Sequence, residues 1–272
     1  MKGVISMTRS ALLASLALTV LAGLASHETH AADQLVTDLS KHQISIRSNF
    51  TGTEILIFGA IEADDPDNLA TERDVIVVVS GPSLPVTVRR KNNVAGLWIN
   101  TEAVTFERVP TFYAIASTRP LTRVASAETR TVEGLGFDQL SLGSVTGHGP
   151  AGALINVTAV ERAAFTEALV RNKQADGLFR TEPAGVAFLG RSLFRATVGI
   201  PATVPNGLYT AKVYLVSDGK VSDVASAPLY VVKSGMERAI YAFAHEKPFL
   251  YGIFAVVFAT FAGWAATLIF KD

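Results

Sequence analysis

The longest apolar stretch of the chain is residues 248–270, 23 positions without a charged side chain, followed at once by Lys271 and Asp272. A helix rises about 1.5 Å per residue, so this stretch crosses a hydrocarbon core roughly 30 Å thick with modest tilt. A second apolar stretch, 11–25, is interrupted by Ser15 and Thr19, follows Lys2 and Arg9, and gives way to Ser26-His27-Glu28-Thr29-His30-Ala31. That length and those flanks fit a secretory signal sequence over 1–31, cleaved after Ala31, with Gly23-Leu24-Ala25 as a second candidate site. An uncleaved anchor is the alternative reading. Both readings leave the positive flank in the cytoplasm and export the body. The expected location is the inner membrane, single-pass, with a periplasmic body and a cytoplasmic C-terminus.

Between these segments the pattern is that of strands. Residues 43–48 alternate apolar and polar, 53–60 follow a Thr51-Gly52 turn, and Asp74-Val75-Ile76-Val77-Val78-Val79 is a continuous apolar run suited to a central strand. Residues 85–89 alternate again, Lys91-Asn92-Asn93 reads as a hairpin turn, and 94–100, 103–107 and 111–117 complete about seven short strands. Strands at that spacing predict a first immunoglobulin-like β-sandwich over 32–117.

Residues 118–182 read as a helical insert or linker. Residues 120–128 can form a short helix. Thr158-Ala159-Val160-Glu161 is a capping box that starts a helix from Ala159 to about Lys173. Its expected inward stripe is Val160, Ala164 and Ala168, widened by Phe165 and Leu169. Strands return over 183–235, with the Asp218-Gly219 hairpin signal between 208–216 and 220–226. They predict a second sandwich, completed by strands from 136–146 and 153–157. Residues 236–247 read as a juxtamembrane amphipathic helix, with Tyr241 and Tyr251 at headgroup depth. The fold class is therefore mainly β: two sandwich units, a helical insert and one C-terminal transmembrane helix.

Charge changes this picture little. Beyond residue 31 there are 22 basic and 23 acidic residues, so no global field favours nucleic acid. The chain has no cysteine, which excludes thiol chemistry and disulfide stapling. His42, His148 and His245 are far apart and lack metal-site spacing, so no cofactor or metal is expected. The acidic run Asp64-Asp65-Pro66-Asp67-Asn68 lacks the Gly and distal Glu of a calcium loop. Gly190-Arg191-Ser192-Leu193-Phe194 is not a nucleophile elbow. Two groups carry binding chemistry instead. Arg89, Arg90 and Lys91 form the densest positive cluster and, with Arg195, are the expected contacts for a small anion or an acidic partner. Ala255, Ala259 and Gly263, at i, i+4 and i+8, form a small-residue face on which another membrane helix could pack.

Several phrases carry a resemblance: Phe50-Thr51-Gly52-Thr53 running into Ile57-Phe58-Gly59-Ala60, Val86-Thr87-Val88-Arg89-Arg90-Lys91 and Ala95-Gly96-Leu97-Trp98-Ile99-Asn100. Val109-Pro110-Thr111-Phe112-Tyr113-Ala114, Phe188-Leu189-Gly190 with Leu193-Phe194-Arg195-Ala196, and Pro205-Asn206-Gly207-Leu208-Tyr209 continue it. Together they resemble an alphaproteobacterial family of transmembrane proteins over nearly all of the exported chain and the span. The resemblance brings no catalytic residues. It implies a transporter partner, because such proteins are encoded near sulfite-exporter-like permeases. The expected function is a non-catalytic, membrane-anchored accessory protein with the lipid bilayer and a multi-pass membrane protein as partners. The alternatives are a periplasmic small-anion binder that feeds a transporter, and a hydrolase without a recognisable motif.

Overall fold

The apolar run at Asp74 becomes the interior strand of a six-stranded sheet. The computed structural model describes residues 34–47, 50–62, 73–149, 152–233 and 236–269; the N-terminal apolar segment and the acidic run 64–68 lie outside them. The central sheet has the order β10 (Phe179–Pro183), β7 (Tyr113–Ser117), β4 (Arg73–Ser80), β13 (Gly207–Ser217), β14 (Lys220–Lys233), β2 (Gln43–Ile46). Its two outer pairings are parallel and its three inner ones antiparallel. An outer sheet, β1 (Gln34–Leu39), β3 (Thr53–Glu62), β12 (Leu193–Ile200) and β11 (Val186–Leu189), packs on one face. A second, β5 (Ser83–Val94), β6 (Leu97–Pro110), β8 (Val145–His148) and β9 (Leu154–Ile155), packs on the other.

Strand β4 shows why the layers number three. Val75, Val77 and Val79 point into the core shared with the β1-β3-β12-β11 sheet. Ile76 and Val78 point into the core shared with the β5-β6-β8-β9 sheet. A strand covered on both faces has no use for alternation, and each fully buried Val or Ile stabilises by roughly 1.5–3 kcal/mol.

The mainly β class and the C-terminal apolar helix are as read. The pairing differs from two separate sandwiches. Strand β3 lies beside β12, and β4 beside β13, so segments 32–117 and 183–235 share both the central sheet and one outer sheet. The strands within 136–157 join β6 instead of the later segment. The physical reason is burial: β4 and β13 each present apolar side chains on two faces, and one sandwich covers only one.

Short helices α1 (Leu121–Val124) and α2 (Ala127–Glu133) close one side of the second core with Val124, Ala125 and Leu135. Helix α3 (Ala159–Ala175) starts at the predicted capping box: the Thr158 hydroxyl accepts from the Glu161 N–H, and the Glu161 carboxylate accepts from the Thr158 N–H. These bonds hold the Glu161 carboxyl below its usual range. Its buried residues are Phe165 and Leu169, whereas Val160 is 80% exposed and Ala164 is exposed. The larger side chains set which face turns inward. Helix α4 (Met236–Glu246) is followed directly by α5 (Pro248–Ile269). The Phe243 ring packs edge-on against Tyr251 and Phe254, at 5.9 and 6.4 Å between centroids, and ties the two helices together.

Candidate interaction surfaces

The outward face of an antiparallel sheet is normally polar, because alternation sends one set of side chains to water. The β5-β6-β8-β9 sheet obeys at the centre of its outward face, although Leu154 of β9, opposite His148, is 76% exposed. Thr87 and Arg89 stand on β5 opposite Thr105 and Ala103 of β6, and His148 of β8 lies opposite Ala103. Thr87 and Thr105 share a 2.8 Å hydroxyl hydrogen bond. These residues, with Thr101, Glu102 and Gly149, line a shallow cleft of about 440 Å³ whose surface is half polar and half apolar.

The β1-β3-β12-β11 sheet does not obey. Val36, Ala60, Leu193 and Leu189 stand opposite one another, one from each strand, in a single row across the sheet. The next row is Asp38, Phe58, Arg195 and Ala187. Val36, Phe58, Leu189 and Leu193 are each about half exposed, and they border a shallow, almost wholly apolar groove of about 360 Å³. Strand β3 carries Ile55, Ile57 and Ile61 inward and Leu56, Phe58 and Ala60 outward. It reads as a strand apolar on both faces, yet among the described residues only one face is covered. On the covered side Gly59 leaves room for the Phe194 ring, since a Cβ there would lie 2.6 Å from it.

The predicted cationic cluster divides. Arg90 points inward: it donates to Glu102 at 2.9 Å and its guanidinium lies 4.8 Å from the centre of the Phe165 ring. It fastens the β5–β6 hairpin to α3. Arg89 and Lys91 are exposed. Arg195 sits in the outward row of the opposite outer layer, so it does not converge with Arg89 across the buried central sheet. Of the surviving histidines, His148 lies near Arg89, whereas His42 and His245 do not join it. His42 is 3.1 Å from Asp38, and His245 stacks on Tyr241 at 3.9 Å. Among the described residues no group of three or more His, Asp or Glu side chains is placed to hold a metal ion. The buried acid Asp74 has a structural role, receiving the hydroxyl of Thr118 and both Nε and Nη2 of Arg119.

Among the described residues, α5 is touched by the Phe243 ring of α4 and is otherwise open. Residues Pro248–Ala266 have the length and hydropathy of a span, and none of that stretch is buried. Ala255, Ala259 and Gly263 fall on one side of it, with nothing within 4 Å of a Cβ added at Gly263.

The β5–β6 hairpin also corrects one reading. Lys91, Asn92 and Asn93 are strand residues, paired with Asn100, Ile99 and Trp98. The turn is Ala95-Gly96, both at positive φ (52° and 86°), with the Gly96 N–H donating to Asn93 Oδ1 at 2.9 Å. Positive φ at both central residues matches the twist of a two-residue hairpin.

Sequence reasoning picked out the cations and missed the apolar row. The available signal was the run 53–61, apolar at both parities in a strand that turned out to lie in an outer layer. Compared with known proteins, the chain matches over residues 34–272 the family model described as "Putative transmembrane protein (Alph_Pro_TM)". No curated protein matches it.

Proposed function

The chain belongs to that transmembrane protein family, and from this premise we propose that it is a non-catalytic interaction protein anchored by α5 in the inner membrane. Its β body stands in the periplasm and its last residues in the cytoplasm. Its partner is a multi-pass membrane protein of the permease kind. The observation that carries the reading is the outward apolar row Val36–Ala60–Leu193–Leu189 with Phe58 beside it. Contiguous apolar surface rimmed by polar residues marks a contact surface in soluble domains. Anchoring raises the effective concentration of any partner in the same membrane. The small-residue face of α5 offers the same partner a second contact within the bilayer.

The test is the mass of the full-length protein released from native membranes in mild detergent. A complex larger than one chain is expected, and Phe58→Asp with Leu193→Asp should return it to a single chain. Wild-type protein recovered alone and monomeric contradicts the proposal. Retention after alkaline carbonate washing, and a C-terminal reporter active only in the cytoplasm, are the matching expectations for topology.

A second reading keeps one observation in its favour. Arg89 and His148 line the same cleft, whose Glu102 is paired with Arg90, and a small anion such as sulfite or sulfate could sit between them. Calorimetry of the full chain with these anions should give Arg89-dependent heat; no heat with either removes this reading.

A further inference from the structure

The β5–β6 hairpin outruns the body that supports it. From Lys91 to Asn100 all ten residues are exposed, on both faces of the ribbon. At about 3.3 Å per residue, the stretch from Lys91 to the turn stands roughly 10 Å beyond the last packed position. Isolated two-stranded ribbons are marginally stable in water. This one nevertheless carries Val94, Leu97, Trp98 and Ile99 at its end, with Leu97 and Trp98 each 69% exposed. Behind that apolar end come Asn92, Asn93 and Asn100, then Lys91 and Arg89, with no acidic residue between Lys91 and Thr101. Lys91, Asn93, Trp98 and Asn100 share one face of the ribbon, and Val94, Leu97 and Ile99 the other.

We propose that the hairpin end is a second membrane contact, inserting Leu97, Trp98 and Ile99 into the outer leaflet of the bilayer that α5 crosses. Three features select lipid as the occupant. The polarity runs along the ribbon, from apolar end through amides to cations, in the order of a leaflet from acyl chains through carbonyls to phosphates. The roughly 10 Å of free ribbon matches the 5–10 Å to which interfacial elements bury their apolar faces, and Trp is favoured at that depth. Arg89 and Lys91, which make no ion pair among the described residues, complement anionic headgroups. This proposal needs the span but no protein partner, so it can fail while the proposed function stands, and the reverse.

The test uses full-length Trp264→Phe protein, which leaves Trp98 as the one tryptophan, at high lipid-to-protein ratio in phosphatidylcholine–phosphatidylglycerol vesicles. Lipids brominated near the glycerol end of the acyl chain should quench most of the Trp98 emission, and lipids brominated near the methyl end much less. Leu97→Asp in the same background should restore the emission while leaving the far-ultraviolet circular dichroism unchanged. Solvent-like, unquenched Trp98 overturns the proposal. So does blue-shifted emission that bromine does not quench, which would place the end in a protein pocket, of a second copy for example. Equal quenching in the Leu97→Asp variant overturns it too, because mere proximity to the surface would then suffice.

Discussion

The two outer sheets do the same structural job and present opposite surfaces. Each has four antiparallel strands, and each covers one face of the buried central sheet. The β5-β6-β8-β9 sheet shows water Thr87, Arg89, Thr105 and His148. The β1-β3-β12-β11 sheet shows it Val36, Phe58, Leu189 and Leu193. Both inward halves are apolar, so the difference lies in the outward faces alone. It singles out the outward face of the β1-β3-β12-β11 sheet as the surface for the partner we propose.

The largest expected effects should be alike on the two sides. Phe194→Ala and Phe106→Ala each empty a fully buried ring site, one beneath each outer sheet, and each should cost about 3–5 kcal/mol in a reversible melt. A large loss for one and none for the other would break the symmetry of support. The outward faces should then separate. Phe58→Ser should cost about 1–2 kcal/mol, since over half of its surface is buried, and Thr105→Ser about 0.5 kcal/mol or less, while only Phe58→Ser weakens the native complex.

Smaller effects locate the supports of the polar side. Thr158→Ala removes the α3 cap and should cost about 1 kcal/mol, with little change in the apolar groove. Alkaline titration sharpens the contrast further. Burial raises Tyr113 and Tyr214, both in the second core, to about 12. A phenol raised in the folded state favours the neutral form, so its contribution is complete below the unfolded value near 10 and is lost as pH climbs toward 12. The second core should loosen first in that window, seen as earlier loss of the near-ultraviolet signal in wild type than in Tyr214→Phe.

Much of this arrangement was legible locally. The run at Val75–Val79 announced a strand with no solvent face, Thr158 and Glu161 announced the start of α3, and the Asp218-Gly219 turn joins β13 to β14 where expected. The turn at Ala95-Gly96 was obscured because Asn92 and Asn93 are stronger turn formers, yet both sit in the ladder, where the Asn92 amide donates to Thr101 Oγ1 and Asn93 Oδ1 accepts from the Gly96 N–H. The pairing of β3 with β12 was not legible, because nothing in a strand's own pattern names a partner well over a hundred residues away. The apolar row shares that origin. Leu189 and Leu193 look like ordinary strand-end residues until register sets them in line with Ala60 and Val36. The cations illustrate the converse: Arg89 and Arg195 look like one group in composition, and a buried sheet lies between them.

The central claim is that a membrane partner covers the apolar outer sheet and leaves the polar one open. Photo-crosslinking side chains placed singly at Phe58 and at Thr105 of the full-length protein, irradiated in native membranes, test it most directly. The account predicts a discrete higher-mass protein adduct from position 58 and none from position 105. No adduct from position 58, or equal adducts from both, would contradict it.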